Sequence, residues 1–218
     1  MSLQITSELL LRAYRVGLFP MAETRNSTTL HWLDPEARGI LPLQGLYISR
    51  SLAKKLRSNR FHVTSDTAFQ DVIAACAQAK PDREETWINH DIERLFIELY
   101  QLGFAHSIET WENGQLVGGL YGACLGGAFF GESMFSRATD ASKVALVHLV
   151  ARLRLGGYTL LDTQFLTDHL ASLGAIEVSR AAYHALLAQA VEHPARFPAC
   201  HDPALLMDEI ERIRKEIL

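Results

Sequence analysis

The strongest constraint on the fold lies between His106 and Tyr121. Two runs carrying β-branched, aromatic and aliphatic residues, 106–111 and 115–121, flank Glu112-Asn113-Gly114. Asn-Gly suits a two-residue hairpin turn because both of its central positions need positive φ. An antiparallel hairpin is therefore expected mid-chain. A hairpin alone is marginal in water, so more strands and a covering layer must follow. A turn at Gly126-Gly127 leads into a strand at 128–132. Residues 136–140 then turn into a helix with Leu146, Leu149, Val150 and Leu153 at helical spacing, which stops at Gly156-Gly157. Residues 158–165 read as a buried strand. Two hairpins, a crossover helix and another strand predict an α/β (α+β) chain with a mixed, mainly antiparallel sheet covered by helices.

The flanks supply the helices. Thr6 is an N-cap for a helix with Leu9, Leu10, Ala13 and Tyr14 on one side and Gly17 as its stop. The Pro-, Gly- and aromatic-rich stretch that follows, through Gly39, reads as irregular and too short to hold a core alone. A short basic helix at 52–57 and a strand at 61–64 come next. Helices with Phe69, Val72, Ile73 and Cys76, and with Ile92, Leu95, Phe96 and Leu99, precede the hairpin, the second ended by Gly103. Further helices start near Ser179 and at Pro203, the last with Leu206, Ile210, Ile213 and Ile217 on one face. The element order resembles the acyltransferase fold of N-acetyltransferases, which speaks of architecture and not of chemistry.

Composition excludes several classes. The 218 residues are 48% hydrophobic and 21% charged, ordinary for a soluble globular chain. No apolar run approaches the roughly 20 residues that cross a bilayer, and the first residues lack a signal-peptide pattern; a cytoplasmic protein with no membrane partner is expected. Cys76, Cys124 and Cys200 have no metal-ligand spacing, and an odd count suits free thiols. The histidines form no tight ligand pair and no nucleotide-binding glycine motif is present, so neither metal nor cofactor is expected.

Four features could carry chemistry or binding. Asp162 and Gln164 lie two apart on a strand and so should share a face. They are either a satisfied polar pair or the floor of an active site, since burying them unpaired costs about 1–3 kcal/mol each. Glu132 stands at a strand end within Gly131-Glu-Ser-Met-Phe-Ser-Arg137, which is not a nucleophile elbow. Arg50, Lys54, Lys55, Arg57 and Arg60 form a basic run without an acid, either a solvated face or a contact for an RNA backbone. Trp32 and Trp87 are candidates for base stacking. The loop Ser136-Arg-Ala-Thr-Asp-Ala-Ser-Lys143 has no glycine, against the Gly-rich loop that would cradle the pyrophosphate of coenzyme A.

At these residues the chain resembles the leucyl/phenylalanyl-tRNA–protein transferases. The matching stretches are Gly17-Leu-Phe-Pro, His31-Trp-Leu-Asp-Pro-Glu-Ala-Arg, Ser49-Arg-Ser-Leu, Thr86-Trp-Ile-Asn, Ala105-His-Ser-Ile-Glu, Leu116-Val-Gly-Gly-Leu-Tyr-Gly, Gly131-Glu-Ser-Met-Phe-Ser-Arg, Ala141-Ser-Lys, Leu161-Asp-Thr-Gln and His169-Leu-Ala-Ser-Leu-Gly. The resemblance implies a small N-terminal domain, 1–40, on an acyltransferase-like catalytic domain, 41–218. It implies transfer of Leu or Phe, less so Met, from leucyl-tRNA or phenylalanyl-tRNA to proteins with N-terminal Arg or Lys, marking them for N-end-rule degradation. It carries catalytic roles onto Asp162, Gln164 and Glu132, and a side-chain pocket onto Leu120, Phe129 and Leu161. It places Trp87 against the terminal adenosine and the run from Arg50 to Arg60 on the tRNA. Met21 stands where many members have a Trp, and His31-Trp32 where many have Trp-Trp.

The aminoacyl ester is already activated, so aminolysis needs no ATP. A glutamine amide is too weak a base to hold the proton of the attacking amine. The expected division of labour has Gln164 orienting the amine, Asp162 taking the charge, and Glu132 attracting the acceptor's basic first residue. A coenzyme A-dependent N-acetyltransferase and a non-catalytic RNA-binding protein are the alternatives.

Overall fold

The computed structural model describes residues 5–58, 60–79, 85–198 and 202–216. Thr6 caps α1 (Ser7–Arg15) by accepting from the Leu9 amide, and Gly17 leaves it at φ 87°. Leu10, Ala13 and Tyr14 face inward, whereas Leu9, expected with them, is exposed. The stretch expected to be irregular contains three short strands, β1 (Phe19–Met21), β2 (His31–Leu33) and β3 (Ala37–Ile40). The first two pair with each other in a separate two-stranded sheet. Next come α2 (Arg50–Arg57), β4 (His62–Ser65), α3 (Phe69–Ala77) and α4 (His90–Gln101). The hairpin is β5 (Ala105–Glu112) and β6 (Gln115–Leu125), with Asn113 and Gly114 at φ 51° and 75° in its turn. β7 (Ala128–Ser136) runs four residues beyond its expected end because it stays paired with β6 as far as Gly118–Ser136. The chain finishes with α5 (Ala141–Leu155), β8 (Leu160–Gln164), α6 (Asp168–Ala171), β9 (Ile176–Ser179), α7 (Arg180–Glu192) and α8 (Pro203–Glu216). Cys200 and Ile217 fall outside the described residues.

The large sheet has the order β4-β5-β6-β7-β8-β3-β9. Every neighbouring pair is antiparallel except β7 and β8, whose connection is the crossover helix α5. The mixed, mainly antiparallel sheet expected from the sequence is therefore present. β3 sits between β8 and β9, so the strand ending at Ile40 is built into this sheet. Side chains alternate across it. Tyr121, Phe130 and Leu160 join one core with residues of α1, α3, α4 and α7. Leu120, Phe129 and Leu161 join another with residues of α2, α5 and α8.

Two interruptions of register matter for function. Opposite β6, Tyr121 pairs with Ser133 and Gly122 with Gly131, which leaves Glu132 as an extra residue on β7. Opposite β3, Ile40 pairs with Asp162 and Gly39 with Gln164, which leaves Thr163 extra on β8. Such bulges re-aim side chains. The β7–β8 pairing itself is confined to Ala128–Phe130 against Leu160–Asp162. Past that point the two strands part, with one bulge on each side of the gap.

The backbone at Gly122 is packed against this bulge. A Cβ there would lie 2.2 Å from the Phe130 carbonyl oxygen and 2.5 Å from the Phe129 ring. Gly122→Ala should cost about 1–3 kcal/mol through overpacking, seen as a thermal midpoint lowered by roughly 3–10 °C. An unchanged midpoint would show that the strands shift without cost.

Candidate active site

A cavity of about 290 Å³ opens where β7 and β8 part, lined on either side of the gap by Gly131 and Glu132, and by Thr163 and Gln164. Alternation along β8 would put Asp162 and Gln164 on one face; the bulge at Thr163 overrides it. Gln164 lines the cavity, whereas Asp162 is completely buried and does not. Gln164 has φ 58°, a conformation that costs a non-glycine residue about 1–3 kcal/mol. Its amide N–H donates to Asp162 Oδ1 at 2.8 Å, which holds that backbone in place.

The partner of Asp162 is Arg38, from β3. The guanidinium donates through Nε to Oδ1 at 2.9 Å and through Nη2 to Oδ2 at 2.6 Å, a bidentate pair with no solvent exposure on either side. Its Nη1 donates to the Gly17 carbonyl at 2.9 Å, and its plane lies between the rings of Phe19 and Tyr183, 4.5 and 4.3 Å from their centroids. The Tyr183 hydroxyl donates to Asp162 Oδ2 at 2.7 Å. Burial works against the Arg38 charge, and the Asp162 hydrogen bonds and charge outweigh it, so its pKa is raised further. Both Asp162 oxygens are thus committed to Arg38, Tyr183 and Gln164. The carboxylate expected to take the amine's proton is therefore buried behind the cavity wall with both oxygens hydrogen-bonded.

Among the described residues Glu132 is the acid that lines the cavity. Desolvation pushes its pKa up to about 8, aided by the Asp162 charge and opposed by a hydrogen bond from the Tyr14 hydroxyl, 2.7 Å from Oε1. Gln164 lies across the gap. With its nitrogen toward Glu132 the amide makes one contact of 3.3 Å; turned over, it donates to the Gly131 carbonyl at 2.8 Å and the Thr163 carbonyl at 3.1 Å. The second orientation is better satisfied and turns the amide oxygen toward Glu132, where a protonated carboxyl can donate to it.

The cavity spans the boundary between the two cores. Leu120, Leu146, Leu149 and Leu161 line it from one, Phe19 and Trp87 from the other. Leu120 and Leu161, two of the three expected pocket residues, line the cavity. Phe129 is buried beside Tyr158 and Phe197 and is not among the lining residues. Met21 and Trp87 both line the cavity; Trp32 packs against a core cluster instead. On α2, Arg50, Lys54 and Arg57 are exposed at i, i+4 and i+7 and have no ion pair among the described residues. Lys55 pairs with Asp140 and Arg60 with Glu112, so the five cations are not equivalent.

The sequence reading missed Arg38, Tyr14, Tyr183, Phe165 and His169. Arg38 carried a signal, a lone arginine leading into the apolar Ile40-Leu41, which hints at a buried guanidinium needing a carboxylate. Phe165, 45% exposed and held edge-on against Phe19, lines the cavity rim.

Comparison with known proteins agrees with the resemblance. The family model for leucyl/phenylalanyl-tRNA protein transferase matches residues 40–188, and the model for that family's N-terminal domain matches residues 4–36. The leucyl/phenylalanyl-tRNA–protein transferase of Paramagnetospirillum magneticum is 61% identical over 193 residues, 88% of this chain and 92% of that protein. That of Rhodospirillum rubrum is 57% identical over 190 residues, 87% of this chain and 89% of that protein. Among solved structures, a ribosomal-protein-alanine N-acetyltransferase from Brucella melitensis superposes loosely, with a TM-score of 0.36 at 17% identity over 52% of this chain and 87% of that one. The chain belongs to the leucyl/phenylalanyl-tRNA–protein transferase family.

Removing the Arg38 guanidinium leaves a buried carboxylate without its counter-charge. Arg38→Met should destabilise the fold by about 3–5 kcal/mol in urea unfolding. Arg38→Met combined with Asp162→Leu should regain most of that stability. Equal losses in the single and double variants would contradict the pairing as described.

Proposed function

We propose that this chain transfers leucine or phenylalanine, and methionine less well, from charged tRNA to the α-amine of proteins beginning with Arg or Lys. In the N-end-rule scheme this marks the acceptor for degradation, in the cytoplasm where charged tRNA is found. The observation that carries the reading is an apolar cavity wall meeting an inward-facing acid, Glu132, and a held amide, Gln164, at the gap between β7 and β8.

The carried side chain lies against Leu120, Leu146, Leu149 and Leu161. An apolar site separates side chains that differ by one methylene by only about 1–3 kcal/mol, which is why Leu, Phe and Met are accepted together. The terminal adenosine stacks at the rim with Trp87, Phe165 and Met21. Phe165 offers aromatic surface close to where Met21 replaces the family's Trp.

The acceptor's amine approaches between Gln164 and Glu132. The Gln164 amide oxygen accepts one N–H and aims the nitrogen at the ester carbonyl. As the C–N bond forms, the amine's proton passes to the Glu132 carboxylate. When the tetrahedral centre collapses, the C–O bond to the ribose breaks and the leaving oxygen takes a proton back. With its pKa near 8, Glu132 can both accept and return that proton at neutral pH. Asp162 and Arg38 move no proton; they fix the strained backbone from which Gln164 projects.

The reading is tested by supplying leucyl-tRNA or phenylalanyl-tRNA and a peptide beginning with Arg, and weighing the product. Extension by one residue is expected, and no extension would sink the proposal. Glu132→Gln should lower kcat by about 100-fold or more. For the wild type the rate should climb as pH rises through about 8, because Glu132 must be ionised to act as the acceptor. A Glu132→Gln variant with nearly normal kcat would remove Glu132 from the proton transfer.

A further inference from the structure

Among the described residues neither lysine nor arginine lines the cavity, yet a nucleoside ester seated there must lead straight into a phosphodiester at the rim. α5 shows what would meet it. Leu146 and Leu149 on this helix line the cavity, and Lys143 stands one turn earlier in the same i, i+3 row. His169 lines the cavity from α6. Burial first, then the Lys143 charge, lower the pKa of its imidazole, with the Asp140 charge acting against them.

Asp140 holds this cluster together. It accepts from Lys143 Nζ at 3.1 Å and from Lys55 of α2, leaving two lysines on one acid and a net positive charge. Lys143 retains a third of its side-chain exposure, enough to meet a ligand. Lys55 belongs to the same helix as the exposed ridge Arg50, Lys54 and Arg57, which spans roughly 10 Å. The cations thus run from the outer ridge of α2 through Lys55 to Lys143, one helical turn from the cavity that His169 lines.

We propose that Lys143 and His169 form the binding site for the phosphodiester nearest the donor's esterified nucleoside, so that the tRNA's 3′ strand enters across α2 and the start of α5. The inference rests on the proposed use of charged tRNA and gives that substrate a direction of entry.

Two measurements test it. Uncharged tRNA is titrated against the intact protein at several salt concentrations, using wild type, Lys143→Ala and Lys143→Arg. Each phosphate contact adds about 0.7–0.9 to the slope of log affinity against log salt. Lys143→Ala should lose about one such unit and Lys143→Arg should keep it. Transfer is then compared between aminoacyl-tRNA and an aminoacyl ester of adenosine that carries no phosphate. The ratio of their kcat/KM values should fall several-fold in Lys143→Ala and in His169→Ala. An unchanged slope together with an unchanged ratio, while the wild type transfers normally, would overturn this site and leave the proposed function standing. Wild-type transfer from neither donor would instead remove the function, and this route with it.

Discussion

The buried pair of Arg38 and Asp162 is the interaction on which the rest of the site depends. It joins β3 to β8 by side chains as well as backbone, and its other contacts reach the end of α1 through Gly17 and α7 through Tyr183. Isolated, either charge would be very costly to bury. Together, with both carboxylate oxygens and all three guanidinium nitrogens hydrogen-bonded, they form a plug behind the cavity. Such a pair is weak evidence for extra stability, because an apolar replacement of similar shape can serve as well. What an apolar plug could not do is accept the Gln164 amide N–H and hold that residue at positive φ. The charge is retained for geometry.

That geometry separates two carboxylates by environment. Asp162 is surrounded by donors and has no opening to the cavity. Glu132 has one tyrosine hydroxyl, a neighbouring amide and little water, so the protonated form is favoured up to about pH 8. In the proposed function these two acids take different work: one fixes the backbone, the other exchanges a proton. The bulges are what allow it, since uninterrupted pairing would leave no spare residue to turn into the gap on either strand.

Much of the fold was legible because its signals are local. Thr6 caps, Asn113-Gly114 turns, Gly103 and Gly156-Gly157 stop helices, and each does so with atoms a few residues away. The strands β1, β2, β3 and β9 are only three or four residues long, and most of what defines them is pairing with distant chain. No periodicity survives over so short a span. The site was legible in part. Asp162, Gln164 and Glu132 stood out as polar residues on buried strands, but the bulge at Thr163 made alternation the wrong guide to where Gln164 points. Arg38 sits 124 residues from its partner, so the saturation of Asp162 could not be read from spacing. Phe129 shares a core with Leu120 and Leu161, which line the cavity, yet it is covered by Phe197 from the chain's far end.

In the proposed function the exchangeable proton belongs to Glu132 and not to Asp162. The carboxylic-acid stretch in the infrared spectrum, followed with pH, reads this directly. Glu132 as acceptor requires a protonated-carboxyl band that disappears as pH rises through about 8 and is absent from Glu132→Gln. It should persist in Asp162→Asn with a lower midpoint, because the Asp162 charge helps to raise the Glu132 pKa. A band that survives in Glu132→Gln and vanishes in Asp162→Asn would contradict the assignment.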